Sequence, residues 1–240
     1  MCGRFALTSD PASLRRTFGY EEQPNFPPRY NIAPTQPIAI VSGRLDAEGR
    51  FRRHFQLVRW GFLPGFVRDT QNFPLIINAR AETAAEKASF RNALRRRRCL
   101  IPADAYYEWM RFKVDGKTAR RAFQFQRADG ETMGLAGLWE PYLSPDGSEI
   151  DTACILTTVA NGATVCVHER MPVIIERQDF GRWLDCDAVD VREANTLMKP
   201  IGESALTFFE IGSAINKATA TGPDLQAPLR PAQERASALK

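Results

Sequence analysis

The second residue of the chain is a cysteine, in "MCGRFA". Chain termini are poorly ordered unless something ties them down, so a thiol there calls for a chemical reason. An initiator methionine is commonly trimmed when the next residue is small, and the mature chain is therefore expected to begin at Cys2. It would then carry an α-amine and a thiol on adjacent carbons. The amine, with an ordinary pKa of about 7.7–8.0, is partly neutral near pH 7. Amines condense with carbonyls to imines. The neighbouring thiol can add to the imine carbon and close a five-membered thiazolidine, a step that proximity favours strongly. The same group could attack an amide as an N-terminal nucleophile. It could also be only a small apolar residue in an edge strand.

Three further residues have types suited to helping that chemistry. In "AYYEWMR", strand periodicity puts Tyr106, Glu108 and Met110 on one face. A carboxylate between an aromatic ring and a methionine is costly to bury ionised and suits a general acid; the alternative is a wet edge strand. Asn78 and Arg80 close the apolar run "PLIINAR", where the strand leaves the core. An amide there can orient a nucleophile, although an asparagine that merely ends a strand is commoner. His168, in "CVHERMP", is the better placed of only two histidines; His54 lies in a strand of mixed polarity and reads as surface. The run "RRRR" at 95–98 ends a predicted helix, where cations are favourable, with a phosphate contact as the sharper reading.

Composition narrows the classes. The chain has 240 residues, 44% apolar and 25% charged, which is ordinary for a globular protein with a real core. No apolar run approaches the roughly 20 residues of a membrane span, and no signal peptide opens the chain. Five scattered cysteines without a C-x-x-C pair argue against a disulfide framework or zinc knuckle and for a reducing cytoplasmic setting. Two histidines leave little for a metal site, and no cofactor motif is present. "DGKT" has the ending of a phosphate loop, but Arg111 stands where its first glycine belongs. The net charge of +4 is weak support for an acidic partner.

The elements that must position these residues follow from pattern. "TSDPASLRRTF" predicts a short helix capped by Ser9 or Asp10. "IAIVS" and "FRRHFQLVRW" predict strands, and "AETAAEKASFRNALRRRR" has helical composition. From 105 the pattern is a β-meander, "AYYEWMRFKV" turning at Asp115-Gly116, "RRAFQFQ" turning at Asp129-Gly130 and "TMGLAGLWE" following. "ACILTTVAN", "MPVII" and "ALTFFEI" are further strands, with helices near 177–185 and 188–198. The order is not βαβ alternation. It predicts an α+β fold with a mainly antiparallel, barrel-like sheet core and peripheral helices. Residues 1–217 read as a single domain and 218–240 as a loose tail.

The ordered set "MCGRFA", "RYNIAPTQ", "RWGFLPGF", "INARAET", "CLIPADAYYEW", "GLWE" and "HERMP" resembles the SOS response-associated peptidase family, the abasic-site processing proteins, from residue 1 to about 216. The resemblance implies a monomeric protein that binds single-stranded DNA carrying an abasic site. It would cross-link through Cys2 to the ring-opened sugar aldehyde as a thiazolidine, shielding the lesion. It also implies an autopeptidase step that exposes Cys2, with Glu108 and His168 as helpers. The family's catalytic set falls on Cys2, Asn78, Glu108 and His168. Its DNA contacts fall on Arg4, Arg80 and Thr157. Phe66 would stack on bases beside the lesion, with Val67 where relatives can carry a second aromatic. Two rivals remain. Class II glutamine amidotransferases also begin Met-Cys-Gly, and a plain single-strand-binding module would bind intact and abasic DNA alike.

Overall fold

The computed structural model describes residues 2–229 of the chain. It begins with β1 (Phe5–Leu7), α1 (Pro11–Phe18), β2 (Arg29–Ile32), β3 (Pro37–Leu45), β4 (Phe51–Trp60) and β5 (Asn78–Arg80). Two short helices follow, α2 (Ala81–Ala84) and α3 (Arg91–Arg96). Then come β6 (Arg98–Ala103), β7 (Ala105–Val114), β8 (Lys117–Arg127), β9 (Met133–Leu143) and β10 (Glu149–Val159). The last elements are β11 (Arg170–Pro172), β12 (Ile174–Ile175), α4 (Phe180–Leu184), α5 (Val191–Leu197) and β13 (Leu206–Ile211).

The described residues form two sheets. One has five strands in the order β13-β8-β7-β1-β2; the other has eight and runs β11-β10-β4-β3-β6-β9-β12, with β5 paired to β10. The fold is the expected α+β class, mainly antiparallel and barrel-like, with helices at the periphery. The exception is β10, which runs parallel to both β4 and β5. One apolar core joins the sheets, with Phe5, Tyr106 and Phe125 from the first packed among Ile38, Leu100, Leu138 and Ile155 of the second. Phe5 meets Trp60 edge-on, ring centroids 5.2 Å apart, which pins β1 over β4.

Local chemistry explains several elements. Asp10 caps α1 by accepting the Ser13 N–H at 2.9 Å, and Gly19 ends it at φ 72°. Asp115 and Gly116 both have positive φ, 49° and 75°, and join β7 to β8 in the two-residue hairpin expected. The second Asp-Gly turn departs from expectation. β8 and β9 lie in different sheets, so the turn at Asp129-Gly130 carries the chain across the molecule instead of closing a hairpin. The helical stretch from 81 breaks into two pieces because Phe90 is buried against Phe62 (5.7 Å), drawing the chain off a single helix axis.

The arginine run is half internal. Arg98 is 1% exposed and donates to the carbonyls of Leu94, Trp183, Asp185 and Val189 at 2.6–3.0 Å. Arg97 pairs with Glu140 at 2.6 Å. Neither guanidinium is a solvated helix cap. His54 is held 3.0 Å from Glu22. Residues 218–229 are packed, contrary to the loose tail expected. Asn31 donates to the Lys217 and Ala220 carbonyls, Leu225 is buried, and the Leu229 N–H donates to Glu210. Residues 230–240 lie outside the described residues, as does Met1.

Candidate active site at the N-terminus

Cys2 lies where the two sheets meet. From the five-stranded sheet, Phe5 pairs with Tyr106 and the Tyr107 N–H donates to the Arg4 carbonyl at 3.0 Å. Continuing that antiparallel register carries Glu108 alongside Gly3 and Cys2. From the eight-stranded sheet, the Asn78 side-chain amide donates to the Cys2 carbonyl at 2.9 Å. β1 is anchored at its other end by Asp104, which accepts the Thr8 and Ser9 N–H groups at 2.6 and 2.7 Å. Cys2 is thus tied down on both sides, as an N-terminal residue must be to remain ordered.

The thiol of Cys2 is fully buried, and burial pushes it well up, with the charge of Glu108 adding to the effect. Glu108 is itself only 3% exposed. Burial also raises the phenol of Tyr106, and the charges of Cys2 and Glu108 raise it further, so these three side chains share one small volume. Tyr106 is held there by stacking on Phe125 at 4.7 Å. Asn78 Oδ1 is buried and accepts no hydrogen bond among the described residues. It is an available acceptor next to the start of the chain. The structure therefore gathers Cys2, Asn78 and Glu108 into one group.

His168 belongs to a second, adjoining group. Its Nδ1 lies 3.0 Å from the Arg170 N–H, which can only donate, so Nδ1 accepts and the neutral ring carries its proton on Nε2. Arg170 forms a bidentate pair with Glu82 (2.8 and 2.9 Å) and donates to the Thr157 carbonyl at 2.6 Å. That guanidinium holds the Glu82 carboxyl below its usual range. The two groups adjoin along β5, which contributes Asn78 to the first and the Ala79 carbonyl, accepting from Thr157, to the second. The pairing of Glu82 with Arg170 escaped sequence reasoning because it joins residues 88 positions apart.

The four expected DNA contacts fare differently. Arg80 is exposed, and no ion pair or hydrogen bond engages its guanidinium among the described residues. Phe66 is 58% exposed at the tip of the Pro64-Gly65 turn, while Val67 beside it is buried. Arg4 spends part of its guanidinium inside the protein, donating to Asn31 at 2.8 Å and to the Ile215 carbonyl at 2.9 Å. Thr157 is fully buried, and its hydroxyl donates to the Ala79 carbonyl and accepts from Arg170, a guanidinium it helps to position. Among the described residues no group of three or more His, Cys, Asp or Glu could hold a metal ion, and no helix is long and apolar enough to cross a membrane.

The second residue of the chain is thus a buried thiol, clamped between two sheets beside a carboxylate and an asparagine. The family model for SOS response associated peptidase (SRAP) matches residues 1–218, and the chain belongs to that family. It is 33% identical over 228 residues to the abasic site processing protein YoqW of Bacillus subtilis, covering 94% of this chain and 98% of that one. It is 25% identical to the abasic site processing protein HMCES of Rattus norvegicus over 95% of this chain and 76% of the relative. A crystal structure of a protein from Bacteroides thetaiotaomicron has the same fold, with a TM-score of 0.82, 21% identity, and coverage of 95% of this chain and all of that one.

Proposed function

We propose that this protein recognises abasic sites in single-stranded DNA and captures them covalently through Cys2. The observation that carries the reading is the hydrogen bond from Asn78 to the Cys2 carbonyl, which fixes the second residue against the buried Glu108. The names of the relatives, abasic site processing proteins, supply the aldehyde that the aminothiol would trap.

The order of events follows from the thiol's environment. A thiol pushed well above its ordinary range is a poor resting nucleophile, because the thiolate is the reactive form. The α-amine of Cys2, exposed once Met1 is gone, therefore attacks the sugar aldehyde first. Asn78 Oδ1 accepts an N–H of that amine and aims it. Water leaves as the imine forms, and Glu108 supplies the proton the departing oxygen needs. The sulfur then adds to the imine carbon. The nitrogen keeps its own proton through this step, so the thiol's proton passes to the Glu108 carboxylate, which regains the one it gave. His168, its ring oriented by the Arg170 N–H on Nδ1, assists the opening of the sugar ring and the removal of Met1, the autopeptidase step. Arg80, with the free face of Arg4, holds phosphates without regard to sequence, and Phe66 stacks on a neighbouring base.

The test is a denaturing gel of the protein mixed with single-stranded DNA bearing one abasic site. A covalent band that disappears in Cys2→Ala is the expected result. A wild-type protein that leaves no such band overturns the reading.

A further inference from the structure

A cavity of about 660 Å³ opens at the segment that leads into β5 and has no part in the chemistry above. Its floor is the buried ring of Phe62, and its walls include Phe73, Leu75, Tyr142 and Ile150. Leu75 and Ile150 are 50% and 39% exposed, an unusual outlay of large apolar side chains at the mouth of a hollow. The rim is hydroxyl-rich, with Thr35, Thr70, Ser144 and Ser148. Thr35 holds a left-handed backbone, φ 72°, and its N–H is fixed to the Trp60 carbonyl at 2.8 Å. A β-branched residue is strained in that conformation, which persists only where the surroundings impose it.

The cavity is connected to Cys2 by the chain itself. Ile76 lines it and bridges to Phe62; two residues later Asn78 holds the Cys2 carbonyl, and two residues beyond that stands exposed Arg80. Three extended residues, Leu75 to Asn78, span about 10 Å. A strand gripped at Arg80 and captured at Cys2 would reach the cavity with its next one or two nucleotides.

We propose that this cavity is a subsite for a nucleobase of the same DNA strand, flanking the lesion. The inference rests on the abasic-site reading above and names where the neighbouring base goes. Its size is that of a small-molecule site, and flat apolar walls with a few polar groups suit a heteroaromatic ring. The Ser144 and Ser148 hydroxyls donate to the Asp146 carboxylate and keep acceptor capacity, while those of Thr35 and Thr70 can donate or accept, so the rim fits the edge of any base and imposes no sequence. A phosphate does not fit. The carboxylate of Glu149 stands at the rim, and Arg59 is turned to the Gly61 carbonyl at 3.0 Å.

The experiment uses single strands with a tetrahydrofuran abasic analogue, which has no aldehyde and cannot cross-link. A 2-aminopurine is placed in turn at each of the two positions on either side. Saturable fluorescence change at one flanking position is expected. Ile150→Trp, which fills the cavity from a half-exposed position, should abolish that change and weaken binding about tenfold, the size of one lost stacking contact. Leu57→Trp, at an exposed position on β4 outside the cavity, should bind as wild type, with thermal melting confirming that both variants fold. No response at any flanking position, unaltered binding by Ile150→Trp, or equal weakening by Leu57→Trp overturns the proposal. The abasic reading is judged separately, by the covalent band on an aldehyde-bearing strand. A base-dependent signal without that band removes the reading and retains the subsite.

Discussion

Cys2 and Cys154 are both fully buried, and burial pushes both thiols up. Cys154 sits mid-strand in β10, opposite Leu138 of β9, with apolar residues around it. Cys2 has a carboxylate within electrostatic reach and an amide bonded to its carbonyl, whose own oxygen has no hydrogen-bond partner among the described residues. The sulfur atoms are alike; the surroundings differ. Burial alone makes a cysteine inert packing, and a reactive site needs groups that can take, give and aim protons.

The strongest way to break this comparison is to exchange the two roles. Cys2→Ala should abolish the covalent product on abasic DNA, while Cys154→Ala should retain it and lose about 1 kcal/mol of stability by urea denaturation, from lost packing. A product that survives Cys2→Ala would erase the distinction. The same contrast applies to two arginines. Arg98→Ala strips the donor from four carbonyls, three of them in buried contacts, and should cost about 3 kcal/mol or more, without a specific effect on DNA. Arg80→Ala should leave stability within about 0.5 kcal/mol and reduce the salt slope of DNA binding by about one. Asn78→Ala removes the clamp on Cys2 and should slow cross-linking about tenfold, roughly 1.4 kcal/mol, in single-turnover assays, with DNA affinity little changed.

The smallest effect is one that the two thiols share. Cys2, Cys99 and Cys154 are all raised above the ordinary value of 9.0 by burial, so the folded state holds their protons more tightly than the unfolded chain. Their contribution to stability is complete below about pH 9 and is lost progressively above it, as the unfolded thiols ionise first. Each should account for about 1 kcal/mol by pH 10, and alanine at either Cys2 or Cys154 should flatten the fall equally in denaturation series at pH 8 and pH 10.

What could be read from the sequence was local. The α1 cap, the Asp115-Gly116 hairpin and the shared face of Tyr106 and Glu108 follow from turn chemistry and strand period, and the structure has each of them. What could not be read depends on contacts distant in sequence. An Asp-Gly pair specifies a turn and says nothing of which strand comes next to which, so the crossing at Asp129-Gly130 was hidden. The arginine run offered four equivalent charges, and only the carbonyls of Trp183, Asp185 and Val189 decide that Arg98 goes inside. Thr157 shows the same limit at the site. Nothing in "LTTVAN" shows that its hydroxyl lies inside, between the Ala79 carbonyl of β5 and the Arg170 guanidinium of β11.

The central claim concerns two atoms of one residue, the nitrogen and the sulfur of Cys2. Peptide mass spectrometry of the DNA cross-link, after nuclease and protease digestion and treatment with a thiol-alkylating reagent, tests both. The account predicts a peptide that starts at Cys2, lacks Met1, carries the sugar remnant and resists alkylation, because amine and thiol are both in the ring. A remnant on any other residue, or a Cys2 adduct whose thiol still alkylates, would contradict it.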